Sequence, residues 1–249
     1  MTLKLSVKKT GTILVLLIII IAVTVTVTWY RTLGRVQIQF DIHQNKELIY
    51  LSAYAEPPQF AIWLEDPENK TLKTVFVTNR ISTGDWEGKS EVPVALPHWY
   101  QLFRLKKQDD DKTMKDDESL AVTGATPKDD YFSVRVDVPP GSEWTCWIEM
   151  NLSGDYNEAF PEFDRKTLTE DEFGCGQPAL LFKAEITAEE GIIKSPEIVA
   201  QSVWDNGEYL IEPLSDGITT AKNVFDEITI SILKPKMKII QDKIKYESE

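Results

Sequence analysis

Residues 11–28, GTILVLLIIIIAVTVTVT, carry no charge and no amide side chain. As a helix they would cover ~27 Å, close to the ~30 Å hydrocarbon core of a bilayer, so the pattern predicts a membrane-spanning segment. From residue 36 the period changes. Val36, Ile38, Phe40 and Ile42 alternate with Gln37, Gln39 and Asp41, the two-residue repeat of a half-buried strand. Further strands are predicted over 48–54, 59–65, 71–78, 131–138, 144–152, 179–186, 197–203 and 227–233. The second and third of these flank DPENK at 66–70, which is turn chemistry and predicts a hairpin. In 144–152, Trp144, Cys146 and Ile148 fall on one face and Trp147 on the other. Bulk on both faces predicts a central strand. One short helix is predicted over 96–107, where Pro97 stands near the start, Trp99, Leu102, Phe103 and Lys106 recur at helical spacing, and the end is basic. Strands joined by turns, with one helix among them, predict an all-β antiparallel sandwich.

The flanks of the apolar run give it an orientation. Lys4, Lys8 and Lys9 precede it, and Trp29, Tyr30 and Arg31 follow. The positive-inside tendency then keeps the amino terminus cytoplasmic and sends the remaining chain to the periplasm or the cell exterior. A cleaved signal peptide would share the basic start, but the β-branched residues 23–25 argue for retention as a signal anchor. The expected organisation is a basic stub at 1–10, a transmembrane anchor at 11–30, an exported sandwich at 31–234 and a charged tail at 235–249. No linker composition or fixed repeat divides the sandwich. Lipid contacts through residues 11–30, and a membrane or periplasmic protein, are the expected partners.

Charge narrows the partner class. The first 35 residues hold five basic and no acidic side chains, leaving 22 basic against all 40 acidic ones in residues 36–249, a net −18. Such a body repels phosphate backbones, and nucleic acid is not expected as a partner. Candidate chemistry is sparse. His43 and His98 are the only imidazoles, neither with neighbours at metal-ligand spacing, and no nucleophile, phosphate-loop or dinucleotide motif occurs. The acidic run at 108–118 lacks the alternating oxygens and glycine of a calcium loop and predicts a solvated loop. Neither catalysis nor a metal is expected. Cys146 and Cys175 could pair in an oxidising compartment if their Cα atoms come within ~7 Å, or stand as two buried thiols. Trp63 and Trp144 are expected in the core, and Trp86 and Trp99 in a surface groove for a ligand.

Several stretches are similar, in this order, to a family of uncharacterised bacterial periplasmic proteins. They are residues 58–66, the block around Thr74 to Val77, Trp86, the Leu96-Pro97-His98-Trp99 run, residues 121–127, and Gly176-Gln177-Pro178-Ala179-Leu180. That family is catalogued as a domain of unknown function, is loosely labelled flagellar-hook-scaffold-like, and is found near flavin-transferase genes; the resemblance spans roughly residues 35–235. It implies an immunoglobulin- or fibronectin-like sandwich outside the inner membrane and no established activity. Thr123-Gly124-Ala125-Thr126 also resembles the Ser/Thr-Gly-Ala-Thr sequence on which exported redox subunits carry covalent FMN, which would place the flavin on Thr126. Here Leu120 stands where that motif has an acid, and a turn into the 131–138 strand accounts for the same residues. The expected function is a non-catalytic binding or assembly module without cofactor, accessory to a membrane redox system. The alternative is an electron carrier with FMN on Thr126.

Overall fold

The computed structural model describes residues 7–78, 95–102, 123–162, 164, 166, 174–205 and 208–234. A long helix, α1, runs over Val7–Leu33, about 40 Å at 1.5 Å per residue. The side chains of residues 13–27 are exposed along their whole length. Thr24 and Thr26 turn their hydroxyls back onto the carbonyls of Ile20 and Ala22, at 2.5 and 2.8 Å, which satisfies them without solvent. The stretch with described side chains is only about 22 Å long, and among the described residues no helix is long and apolar enough to cross a membrane.

Gly34 and Arg35 join α1 to the first strand, β1, at Val36–Gln44, where burial alternates as the sequence pattern requires. The second predicted strand is instead a helix, α2, over Lys46–Leu51. Its residue types suit a strand, but the β1 ladder slips between His43 and Gln44 and Asn45 then starts a helix. The Asn45 side chain accepts the Leu48 N–H at 3.3 Å, Glu47 complements the first turn, and only Ile49 is buried.

The predicted hairpin is present as β2, Gln59–Glu65, and β3, Leu72–Thr78, with one register slip between Ile62 and Trp63. Asp66 closes its turn by accepting the N–H groups of Glu68 and Asn69 at 2.9 and 3.1 Å. Then follow β4 (Thr123–Gly124), β5 (Tyr131–Val138), β6 (Glu143–Asn151), β7 (Ala179–Thr187), β8 (Ile193–Lys194), β9 (Glu197–Asp205), β10 (Glu208–Glu212) and β11 (Phe225–Leu233). They form a four-stranded sheet ordered β5-β1-β11-β8 and a seven-stranded sheet ordered β10-β9-β7-β6-β2-β3-β4. Among the described residues every pairing of these strands is antiparallel except the short β3–β4 contact. As expected, β6 is central, between β2 and β7.

The two sheets face each other across one apolar core. Ile38, Phe40 and Ile42 of β1 meet Phe60, Ile62 and Leu64 of β2 and Ile148 and Met150 of β6. Phe60 is the hub, with the rings of Phe76, Phe132 and Phe225 at 5.1, 5.2 and 5.3 Å between centroids. Four rings at these separations add edge and tilted contacts to the area they bury. The other face of the seven-stranded sheet carries a second cluster of Ala61, Trp63, Val77, Leu96, Trp99 and Leu181. The chain at 97–102 is helical and contributes to that cluster, while the rest of the predicted 96–107 helix lies outside the described residues. So do Trp86, the acidic run at 108–118 and the tail from residue 235.

The cysteines are not joined. Cys146 belongs to the core between the sheets and Cys175 packs with the cluster on the opposite face. The seven-stranded sheet separates them, and burial pushes the Cys146 thiol far above its ordinary value, making it a small apolar core residue.

Candidate functional site

Two connections cross between the sheets at the same end of the sandwich. One is α2 with residues 52–58, linking β1 to β2; the other is residues 125–130, linking β4 to β5. They share an end because His43, near the close of β1, pairs with Tyr131, the first residue of β5. Between them lies a cleft of about 510 Å³. Ile49 and Tyr50 of α2 and the rings of Pro57 and Pro127 supply apolar wall, and Thr126 and the side chains of Gln44 and Gln59 supply polar groups.

The two amides define the cleft's chemistry. Gln44 is 2% exposed and Gln59 5%. Gln44 Nε2 donates to the Asp129 carbonyl at 3.0 Å, and Gln59 Nε2 reaches Thr126 Oγ1 at 3.4 Å. Their Oε1 atoms are buried with no hydrogen-bond partner among the described residues. A buried acceptor left in that state costs on the order of 1–3 kcal/mol, so the two amides are costly positions in the packing beside the cleft. At the rim, Lys46 forms an ion pair with Asp130.

A second buried polar site lies on the outer face of the seven-stranded sheet. Glu149 of β6 is fully buried and accepts the backbone N–H of His98 at 3.0 Å, that of Trp99 at 2.6 Å, and the Ser202 hydroxyl. These are the first N–H groups of the helical turn at 97–102, which a carboxylate is suited to receive. Burial pushes the Glu149 carboxyl up to about 7, against the three donors. Trp63 stacks on Trp147 at 6.1 Å beside it, and burial lowers the His98 imidazole pKa, favouring its neutral form. This is an anchor for the segment that covers the sheet.

A third network ties down the connection after β6. Asp155 accepts from Gln177 Nε2 at 2.7 Å and from the Thr220 hydroxyl at 2.5 Å, and burial raises its carboxyl. Gln177 Oε1 accepts the Thr219 N–H at 2.6 Å. Gly176 lies against the Asp155 backbone at φ +71°, where a Cβ would stand 2.6 Å from the Asp155 carbonyl oxygen, so only glycine fits.

Of the residues expected to carry function, Thr123 and Gly124 form β4, pairing with Val77 and Thr78 at the edge of the larger sheet. Ala125 is exposed, and Thr126 is half-buried on the cleft wall. Trp99 is not on a groove: it is 2% exposed, enclosed by the outer cluster. His43 pairs with Asp226 at the end of β1. Among the described residues no three His, Cys, Asp or Glu side chains gather as a metal-binding group. The amides of Gln44 and Gln59 escaped the sequence reading. The available signal was Gln44 itself, a polar residue at the inward phase set by Val36, Ile38, Phe40 and Ile42.

Fold and site together define a two-sheet antiparallel β protein with a polar-lined cleft at one end of its sandwich. No protein-family profile, curated protein or solved structure matches the chain.

Proposed function

We propose that the protein is a membrane-tethered, non-catalytic binding module whose β-sandwich lies outside the cytoplasm. The observation that carries this reading is the direct join between α1 and β1. An exposed apolar helix is separated by Gly34 and Arg35 alone from a strand of the sandwich. The uncharged stretch 11–28 would cover ~27 Å, close to the ~30 Å hydrocarbon core, and Thr24 and Thr26 bond back to their own backbone, as an apolar surrounding favours. β1 then runs about 27 Å from Val36 to Gln44, so the cleft sits at the end of β1 far from the anchor. Lys4, Lys8 and Lys9 favour a cytoplasmic amino terminus, which sends the sandwich to the periplasm or the cell exterior. Two antiparallel sheets across one core are consistent with the immunoglobulin- or fibronectin-like architecture that the resemblance implies.

Fractionation followed by alkaline carbonate extraction tests the tether. The full chain is expected to stay in the membrane pellet with the sandwich accessible to protease from outside; recovery in the soluble cytosol overturns the reading. The position of Thr126 on the cleft wall favours a second reading, covalent FMN on that hydroxyl and a role in electron transfer. The intact mass after co-expression with a flavin transferase decides it, and an unmodified mass ends it.

A further inference from the structure

The register of β1 and β11 brings two distant parts of the chain to one end of the sandwich. Gln37 lies opposite Leu233, so Lys234 leaves the sheet level with Val36, three residues beyond the end of α1 at Leu33. Arg35 and Lys234 are both exposed there. In the tethered reading, on which this inference rests, that end lies against lipid. With the hydrocarbon edge at Thr28, the helical residues 29–33 and the link to Val36 put β1 at most ~18 Å beyond it, and the headgroup layer fills ~5–7 Å of that. Residues 235–245, fully extended, reach ~36 Å from the sheet, twice the whole gap.

Charge changes sign at the same place. Residues 36–233 hold 17 basic and 37 acidic side chains. Within 234–246, Lys234, Lys236, Lys238, Lys243 and Lys245 stand against Asp242 alone, with Ile239, Ile240 and Ile244 interleaved, before Glu247 and Glu249. On the anchor side, the only charged residues between Lys9 and Asp41 are Arg31 and Arg35. Two basic segments, far apart in sequence, thus meet beside the bilayer. An anionic phospholipid surface attracts lysines within about a Debye length, ~8–10 Å, and apolar side chains among them enter the interface. The rival occupant is the acidic sandwich itself. Exposed Glu189 and Glu190 share this end, since Gly191 donates its N–H to the Ile232 carbonyl at 2.9 Å, and Asp137 stands opposite Gln37, whose amide it accepts at 2.9 Å. Those acids supply charge, whereas a bilayer supplies charge together with apolar depth for the isoleucines. We infer that residues 234–246 bind the anionic phospholipid surface beside α1 and hold the base of the sandwich against the membrane.

The test places the full chain in lipid nanodiscs, either of phosphatidylcholine alone or of phosphatidylcholine with phosphatidylglycerol. A fluorophore on Gln241→Cys reports its distance to lipids spin-labelled in the headgroup; the chain without that substitution gives the background from Cys175, and a label on Leu51→Cys in α2 serves as the far-end control. Quenching at position 241 is expected to be at least about twofold greater in the anionic discs, and to fall to the neutral-disc level in about 1 M salt, where the Debye length is ~3 Å. Joint replacement of Lys236, Lys238, Lys243 and Lys245 by Gln is expected to abolish the difference between discs, while the label at position 51 shows none. Circular dichroism confirms that each variant is folded. Equal quenching in the two discs, a difference that survives the four Lys→Gln substitutions, or a label that stays unquenched in both because the tail lies on the sandwich overturns the assignment. Carbonate extraction of native membranes scores the tether separately, and both the wild type and the four-lysine variant are expected in the pellet. A retained protein whose tail ignores anionic lipid overturns only this contact, whereas a wild type recovered in the soluble cytosol overturns the tether.

Discussion

Glu149 and the pair Gln44 and Gln59 are all removed from water, yet the chain surrounds them in opposite ways. Both oxygens of Glu149 are met by donors from His98, Trp99 and Ser202, while the Oε1 atoms of the glutamines meet none among the described residues. A buried polar group whose bonds are complete supports the fold, whereas one whose bonds are incomplete weakens it. Burial alone therefore does not say how costly a buried polar group is; the hydrogen bonds it completes do.

Substitutions can break this contrast. Glu149→Ala leaves two backbone N–H groups and a hydroxyl unpaired and uncovers the outer cluster, for an expected loss of about 3–5 kcal/mol in urea unfolding. A loss below about 1 kcal/mol would show that the segment at 95–102 does not depend on its carboxylate. The pH response comes next. Burial raises the Glu149 carboxyl from 4.5 to about 7, so the folded state holds that proton more tightly than the unfolded chain. Its stabilisation is complete below about 4.5 and disappears as pH rises through about 7. The stability of the wild type relative to Glu149→Gln should fall by up to about 3 kcal/mol over that window; a flat or rising difference contradicts the assignment. Asp155, also raised, is present in both proteins and cancels. Asn45→Ala, which uncaps α2 beside the cleft, should cost about 1 kcal/mol by the same measurement. Smallest of all, Gln59→Leu should change stability by less than about 1 kcal/mol, since it removes an acceptor that lacked a donor together with only the long 3.4 Å contact to Thr126. A loss comparable to that of Glu149→Ala would place Gln59 with the scaffold.

Much of the sandwich was legible because a strand announces itself through its neighbours two residues away. Tyr131 to Val138 matches its predicted span end to end, and the bulk on both faces of the 144–152 stretch placed β6 centrally. What the sequence left wrong or open shares a cause, which is that its outcome depends on something distant in sequence. Ile49 and Tyr50 are strand-like residues drawn into α2 by the Asn45 cap and the end of the β1 ladder. Cys146 and Cys175 could not be assigned to opposite faces before the sheet existed, nor Trp99 to a buried cluster before Glu149 received its N–H. The cleft is the extreme case. Thr126 was singled out for its neighbours in sequence, whereas Gln44 and Gln59 join it only because two crossings meet at one end of the sandwich.

The antiparallel register of β1 and β11 has a mechanical consequence. Gln37 lies opposite Leu233, so the polypeptide leaving β11 emerges beside the point where α1 enters β1. Tension applied between those two points would open the ladder rung by rung, from Gln37 toward Gln44, instead of shearing all of its hydrogen bonds at once. The sandwich should yield at low force from that end, and the cleft, at the far end of the same seam, should be among the last parts to feel the load.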